Sequence, residues 1–264
     1  MSIVGAMQTL LIDRSDGVVT VTLNRPDRKN AINGPMWDEL LETFRAIKAN
    51  VDEDKVVVIT GAGGAFCSGA DISGSTPDEQ AHGLTRMRLV GDVCLALHDV
   101  PQPVIAKVTG VAAGAGLNLA LGCDLIVATD DARFSEIFAK RGLTVDFGGS
   151  WLLPRLIGLH KAKELVLFAD IIGAKEAQEI GIVNRVVSAA EIDAFVDDWA
   201  ARLAAGPPLA LSMSKRLLND SMEMSLAHAL DAEGVAQNLN FASQDTTEAM
   251  QAFVQKREPT FRGR

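Results

Sequence analysis

Apolar positions along the chain change period several times, and each change marks an element. Residues 9–13 and 18–24 alternate apolar and polar around Ser15-Asp16-Gly17, the pattern of a β-hairpin. After the polar loop 25–33, Pro35 opens a helix to about Asn50, with Trp37, Leu40, Leu41, Phe44 and Ile47 at helical spacing. The short β-branched runs 55–60, 104–108 and 125–128 predict buried strands. Residues 76–99 read as a long helix whose stripe of Leu84, Met87, Val90, Cys94 and Leu97 is expected in the core. Further on come a helix at 159–168, a strand at 171–172, a helix at 175–180 and a strand at 182–187. From Glu191 onward the pattern is almost purely helical, over 191–205, 208–219, 226–241 and 246–257. The change near Gly206-Pro207 is the one candidate boundary, dividing residues 1–205 from a helical region, 206–264.

Two loops stand out because each follows a predicted strand and is built of small residues. GAGGAFCSGAD spans residues 61–71, and TGVAAGAG spans 109–116, before a short apolar helix. Small side chains let a ligand approach the backbone, and a helix start leaves N–H groups unpaired. Two such loops converging would supply two donors to an oxygen that becomes negative during a reaction. For one loop alone, tight packing of a helix on a sheet is the better explanation of the composition. A third loop carries a conspicuous carboxylate, Asp146. On residues alone, Asp146 before Phe-Gly-Gly-Ser-Trp reads best as a helix N-cap.

The stretches NRPDRKNAIN (24–33), ITGAGGAFCSGADI, PVIAKVTGVAAGAGLNLALGCDLIVATDDARF, GGSWLLPRLIG and AFVQKREPTF occur in that order with no large gap. In them the chain resembles the crotonase, or enoyl-CoA hydratase/isomerase, superfamily over nearly its whole length. The resemblance implies an α/β fold: a spiral of β–β–α turns over residues 1–205, closed by a C-terminal helical region, 206–264, that packs in a homotrimer, often a dimer of trimers. It implies an acyl-CoA thioester substrate, with coenzyme A entering as part of that substrate and no cofactor bound permanently. The two oxyanion-hole N–H groups fall on Ala70 and Ala115. By the same resemblance, Arg28 and Lys29 meet the phosphates of CoA, and Ala31, Cys67 and Asp71 lie by its pantetheine and adenine. Ser68, Gly69, Ile72, Gly114, Asn118 and Phe138 complete the substrate-binding set. Phe253 and Lys256 approach the adenosine 3′-phosphate from a neighbouring subunit, although Lys256 reads equally well as a solvated cation at a helix end.

The departures from the family pattern carry more information. Hydratases of this family use two glutamates. The first falls here on Asn118, three residues after Ala115, and the second on Phe138, four residues after Phe134. Glu136 would reach the second position only through compensating insertions and deletions, so it reads as a solvated or structural acid. An asparagine cannot exchange a proton at neutral pH, so syn-hydration is disfavoured. Asp146, twelve residues after Phe134, occupies the acid position of the family's dienoyl-CoA isomerases and several 3,2-enoyl-CoA isomerases. With that position added, catalysis is the better reading of Asp146, and the chain resembles most the epoxyphenylacetyl-CoA isomerase and 3,2-enoyl-CoA isomerase branch. A single carboxylate suits double-bond isomerisation, moving a proton from one allylic carbon to another. Phe138, Trp151 and Leu143 are expected to give it an apolar setting that raises its pKa. Syn-hydration of a trans-2-enoyl-CoA is the alternative, and a non-catalytic acyl-CoA- or partner-binding homologue is the second.

Composition narrows the field from outside. The 264 residues suffice for a large core, and a net charge of −9 argues against nucleic acid or an anionic membrane as partner. Cys67, Cys94 and Cys123 lack metal-ligand spacing, and the first residues show no basic segment with a full apolar stretch behind it. A cytoplasmic protein without a resident metal is therefore expected. A dinucleotide loop is unsupported because Leu119 stands where the third glycine of the fingerprint belongs. A serine hydrolase lacks its G-x-S-x-G.

Overall fold

A computed structural model describes residues 7–73 and 83–264. The predicted hairpin is formed by β1 (Leu10–Ser15) and β2 (Val18–Leu23), paired antiparallel across left-handed Asp16 and Gly17. After helix α1 (Gly34–Ala49) the chain enters β3 (Val56–Gly61), parallel to β2. Then come α2 (Gly83–His98), β4 (Val104–Val108), β5 (Val111–Ala113), α3 (Ala115–Leu121), β6 (Leu125–Thr129) and β7 (Arg133–Ser135). Helices α4 (Gly149–Ile157) and α5 (Leu159–Phe168), strand β8 (Ile172–Gly173), helix α6 (Ala174–Glu179) and strand β9 (Arg185–Val187) complete the mixed region. The chain ends in α7 (Ile192–Ala204), α8 (Pro208–Ser221), α9 (Leu226–Phe241) and α10 (Gln244–Gln255). Residues 76–82 of the long predicted helix lie outside the described residues.

The strands form two sheets, a large one in the order β1-β2-β3-β4-β6-β9 and a small one in the order β5-β7-β8. The expected spiral is visible in how the chain visits both. It passes from β3 to a bridge at Cys67 beside Ala112, then from β4 to β5, then from β6 to β7. Each circuit lays one strand on the large sheet and one segment on the small sheet, and the loops between them stack along one edge.

Continuous apolar runs form these strands because both faces of the large sheet are covered. Val57 and Ile59 of β3 point into the main core with Trp37, Leu40 and Phe44 of α1. Val56 and Val58, one residue out of phase, meet Ile192, Val196 and Ala200 of α7 on the other face. The stripe on α2 behaves differently from expectation. Val90 and Leu97 are buried, but Leu84 and Met87 are exposed, at 64% and 42%. The helix reaches past the core at its N-terminal end, and Met87 stands on a cavity wall instead.

Helices α8 and α9 bury no residue of their own among those described, and their apolar side chains Leu218, Met222, Leu226, Leu230, Val235 and Leu239 face outward. One polar anchor ties α8 to the sheet. Lys215 Nζ lies 2.7 Å from Asp124 Oδ2 and donates to the Gln102 carbonyl at 3.0 Å, while the same Asp124 oxygen accepts from the Val104 N–H. Lys215→Met should cost about 1–3 kcal/mol, since it leaves a half-buried carboxylate and a carbonyl without their cationic donor. A lower urea midpoint with unchanged slope is the expected readout, and an unchanged midpoint would make the anchor energetically neutral.

Candidate active site

Two loop turns meet at the edge of the small sheet. Ile32 and Ala70 form a parallel bridge in which the Ile32 N–H donates to Gly69 O (2.8 Å) and the Asp71 N–H to Ile32 O (2.8 Å). That alternation turns the N–H of Ala70 itself away from Ile32. On the neighbouring loop, the Cys67 N–H donates to Val111 O and the Ala113 N–H to Cys67 O, both at 2.9 Å. This zips the first loop alongside β5, directly before helix α3. Ala115 opens that helix, so its N–H has no partner one turn back. Neither the Ala70 nor the Ala115 N–H has a protein acceptor among the described residues. Gly69 sets their spacing: its φ is +102°, and a methyl placed there would stand 2.8 Å from Ala113 O and 3.7 Å from the Ala115 nitrogen. The two free donors therefore sit on turns in direct contact.

Asp146 lies on the loop before α4, facing the same space. It is not an N-cap: the cap position is Gly148, and no side chain caps that helix. What holds the turn is its backbone. The Asp146 carbonyl accepts from Gly149 N–H (3.0 Å) and from Asn118 Nδ2 (2.9 Å). Phe147 follows in the left-handed conformation, with its ring 5.5 Å from that of Trp37. A left-handed phenylalanine is strained, and such strain persists only where packing over-determines it. Gly149 approaches Asn118 so closely that a methyl there would fall 2.6 Å from its Oδ1. Among the described residues the Asp146 carboxyl has no hydrogen bond to protein, and its buried Oδ1 has no partner. Burial pushes its pKa up to about 6, and the charge of Arg86 on α2 pulls the other way.

These groups line one cavity of about 1010 Å³. Its walls include Met87, Val90, Val111, Ile137, Phe138 and Phe147. Five cations stand on its rim, Arg28, Lys29, Arg86, Arg133 and Arg141, and none is in an ion pair among the described residues. On a chain of net charge −9 this is a local reversal of sign, and it favours an anionic ligand at the mouth. The other aspartate lining the cavity among the described residues is already committed. Asp71 accepts from Ser73 Oγ (2.6 Å) and N–H (3.0 Å) and pairs with Arg25 at 2.9 Å; these hydrogen bonds hold it down at about 2.

Of the residues singled out from sequence, Arg28, Lys29, Ala31, Ser68, Gly69, Ala70, Asp71, Ile72, Gly114, Ala115, Phe138 and Asp146 all line this cavity. Cys67 and Asn118 do not: both are completely buried behind the wall. Cys67 Sγ faces the Asn30 carbonyl at 3.1 Å, and burial raises its thiol to about 12. Phe253, 83% exposed, and Lys256 lie at the end of α10, away from the cavity of their own chain. Trp151 is not part of the apolar setting of Asp146. Its ring packs on His98 and under Arg155, and its Nε1 donates to Glu223. Leu143 is on the cavity wall but half exposed, so Phe138 and Phe147 do more of the shielding.

Of the two readings of Glu136, solvated or structural, burial rules out the first: the residue is 1% exposed. Its Oε2 is 3.5 Å from Asn118 Nδ2, directly behind the Asp146 turn. Sequence reasoning also missed Arg86, Arg133 and Arg141. The only signal available was cationic residues close to the predicted loops, and that is too common to single them out.

The chain as a whole has counterparts among known proteins. The family model described as enoyl-CoA hydratase/isomerase matches residues 13–264. The 1,2-epoxyphenylacetyl-CoA isomerase of Escherichia coli (strain K12) is 36% identical over 265 residues, covering 98% of this chain and 100% of that protein. The crotonyl-CoA hydratase of Syntrophomonas wolfei is also 36% identical, over 97% of this chain and 98% of its own. A crystal structure from Streptomyces coelicolor A3(2) superposes with a TM-score of 0.95 at 36% identity, over 100% of this chain and 98% of that one. Hydratase and isomerase names thus stand side by side among its relatives, and this chain belongs to the enoyl-CoA hydratase/isomerase family, the crotonase superfamily of enzymes acting on CoA thioesters.

Proposed function

We propose that this enzyme moves the double bond of a 3-enoyl-CoA to the 2-position. The observation that carries this reading is that, among the described residues, two aspartates line the cavity and only Asp146 of these has a carboxyl without a hydrogen-bond partner. The thioester carbonyl lies between the Ala70 and Ala115 N–H groups. Asp146 takes a proton from C2, the electron pair moves into the carbonyl, and the enolate oxygen is stabilised by the two donors, which need no reorganisation as charge develops. The protonated Asp146 then returns the proton at C4, and the carbonyl re-forms with the double bond between C2 and C3. Proton and charge balance with one acid/base, and no water enters. Phe138, where the family's hydratases place an acid, presents only a ring to the cavity.

Arg28 and Lys29 at the rim suit the phosphates of coenzyme A, with Ala31, Ser68 and Ile72 along the pantetheine arm. A homotrimer or a dimer of trimers fits the outward apolar faces of α8 and α9 and would let Phe253 and Lys256 of one copy approach the adenosine end of its neighbour's ligand. No described helix is long and apolar enough to cross a membrane.

Product analysis on a 3-enoyl-CoA and, separately, a trans-2-enoyl-CoA tests the reading. The 3-enoyl substrate should turn over to its 2-enoyl isomer, and the 2-enoyl substrate should gain no water. Because the base must be ionised, kcat/KM should fall with decreasing pH below about 6, the value to which burial lifts Asp146. An acidic limb near 4, where a solvated aspartate titrates, or rapid hydration of the 2-enoyl substrate, would overturn it.

A further inference from the structure

At the cavity wall and behind it, three buried side-chain oxygens have no hydrogen-bond partner among the described residues: Asp146 Oδ1 at the wall, and Asn118 Oδ1 and Glu136 Oε1 behind it. Asn118 links the three residues, to Glu136 through its carboxyl and to Asp146 through the main-chain carbonyl, and the Asp146 charge is felt at Glu136. Asn118 Nδ2 donates to the Asp146 carbonyl at 2.9 Å and reaches Glu136 Oε2 at 3.5 Å. The orientation of the Asn118 amide is fixed, because the Asp146 carbonyl can only accept. Both amide protons are thus directed at oxygens already, and its own Oδ1 joins the acceptors. With both carboxyls ionised, the Asn118 nitrogen would be shared between the Asp146 carbonyl and a charged Glu136 while Asn118 Oδ1 and Glu136 Oε1 had no donor, and the Asp146 charge would stand against that of Glu136. A buried cluster short of donors is costly. One further proton resolves it, and Glu136, 1% exposed against the half-buried Asp146, is where that proton costs least.

We propose that Glu136 is a positioning residue of this active site: it keeps its proton while Asp146 is ionised, donates it into the buried oxygen cluster, and so holds the Asp146 turn as a single-charge base. This rests on the reading of Asp146 as the proton-transferring group. Glu136 itself does not line the cavity, so it acts through Asn118 and the turn rather than on the ligand. The electrostatics agree. Burial is the main cause that raises Glu136, to about 8, with the Asn118 hydrogen bond opposing and the charge of Asp146 adding to it. The charged groups acting on the pair are Asp146 on Glu136 and Arg86 of α2 on Asp146. A proton held by Glu136 until about pH 8 gives the site an alkaline limit as well as an acidic one: once Glu136 ionises, the second buried charge disturbs the turn.

The test compares the wild type with Glu136→Gln, which carries a permanent donor and no charge. In the wild type kcat/KM should fall on the alkaline side near pH 8. In Glu136→Gln that limb should disappear, while the acidic limb stays within about half a unit and kcat at pH 7 within a few-fold. A second readout needs no turnover. Folding takes up a proton at Glu136 between its ordinary value near 4.5 and about 8, so the unfolding midpoint should decline across that range. The decline should be shallower in Glu136→Gln. Asp146→Asn keeps Glu136 and should retain the decline above pH 6, which covers the case in which Glu136→Gln does not fold. An unchanged alkaline limb, or an unchanged slope of midpoint against pH, overturns the proposal. So does a folded Glu136→Gln that is inactive at every pH, which would make Glu136 a proton-transferring group. If the wild type turns over neither enoyl thioester, the function proposed above fails, and the unfolding slopes alone decide on Glu136.

Discussion

Asp146→Asn is expected to lower kcat on a 3-enoyl-CoA by about 10²–10⁴-fold, the usual contribution of a positioned acid/base, while leaving the fold intact. The side chain can be exchanged cleanly because the carboxyl makes no hydrogen bond to protein among the described residues and the turn is held by the Asp146 main-chain carbonyl, which the Asn variant retains. Stability should move in the opposite direction from activity. The folded state raises the pKa of Asp146 from 3.8 to about 6. The folded protein therefore binds the extra proton between those values, and stability falls as pH rises through them. An asparagine never bears the charge, so the variant's urea midpoint at pH 8 should equal or exceed that of the wild type. A variant as active as the wild type would reduce Asp146 to a structural residue. A variant that is inactive because it is unfolded would show that the carboxyl holds the turn after all.

Gly69→Ala should be nearly as damaging by a different route. With φ at +102°, position 69 is strained for any residue with a Cβ, and the added methyl would meet the Ala113 carbonyl at 2.8 Å. The chain relieves both only by rotating or shifting the peptide that carries the Ala70 N–H. Losing one oxyanion donor costs about 10²–10³ in kcat, and the strain adds about 1–3 kcal/mol of destabilisation. Gly64→Ala is the matched control. Gly64 is also left-handed, at +77°, but has open space around its Cβ and lies off the cavity. It should lose stability while kcat holds. Equal losses of kcat in the two variants would mean that the oxyanion geometry is not what Gly69 protects.

The sequence by itself determined the periodic part of this protein and the chemistry of its backbone. β-branched runs at 55–60, 104–108 and 125–128 can be buried strands of only a few kinds, and they became β3, β4 and β6 with both faces covered. Small residues after two of those strands marked where main-chain N–H groups could be left free, because that property depends on local conformation and the absence of bulk. Asp146 was singled out only through the family resemblance, since the residues around it read as a helix cap.

What only the tertiary structure decided is which side chains share a space. Asp146 looked like a cap because Gly-Gly follows it, yet the carbonyl bonds to Asn118 and Gly149 turned its carboxyl into the cavity instead. Trp151, five residues further on, falls on the opposite side of α4, beside His98. Met87 continues a helical stripe but runs beyond the core it was expected to fill. Glu136 shows the limit most plainly. In sequence it is a carboxylate out of register with the family's acid position. Its burial beside Asn118, and the protonation this imposes, arise from the crossing of β7's end, α3 and the loop before α4. Period and composition report the surroundings of a residue along its own element. Desolvation and hydrogen-bond supply are set by elements distant in the chain, so they exist only once the spiral has closed.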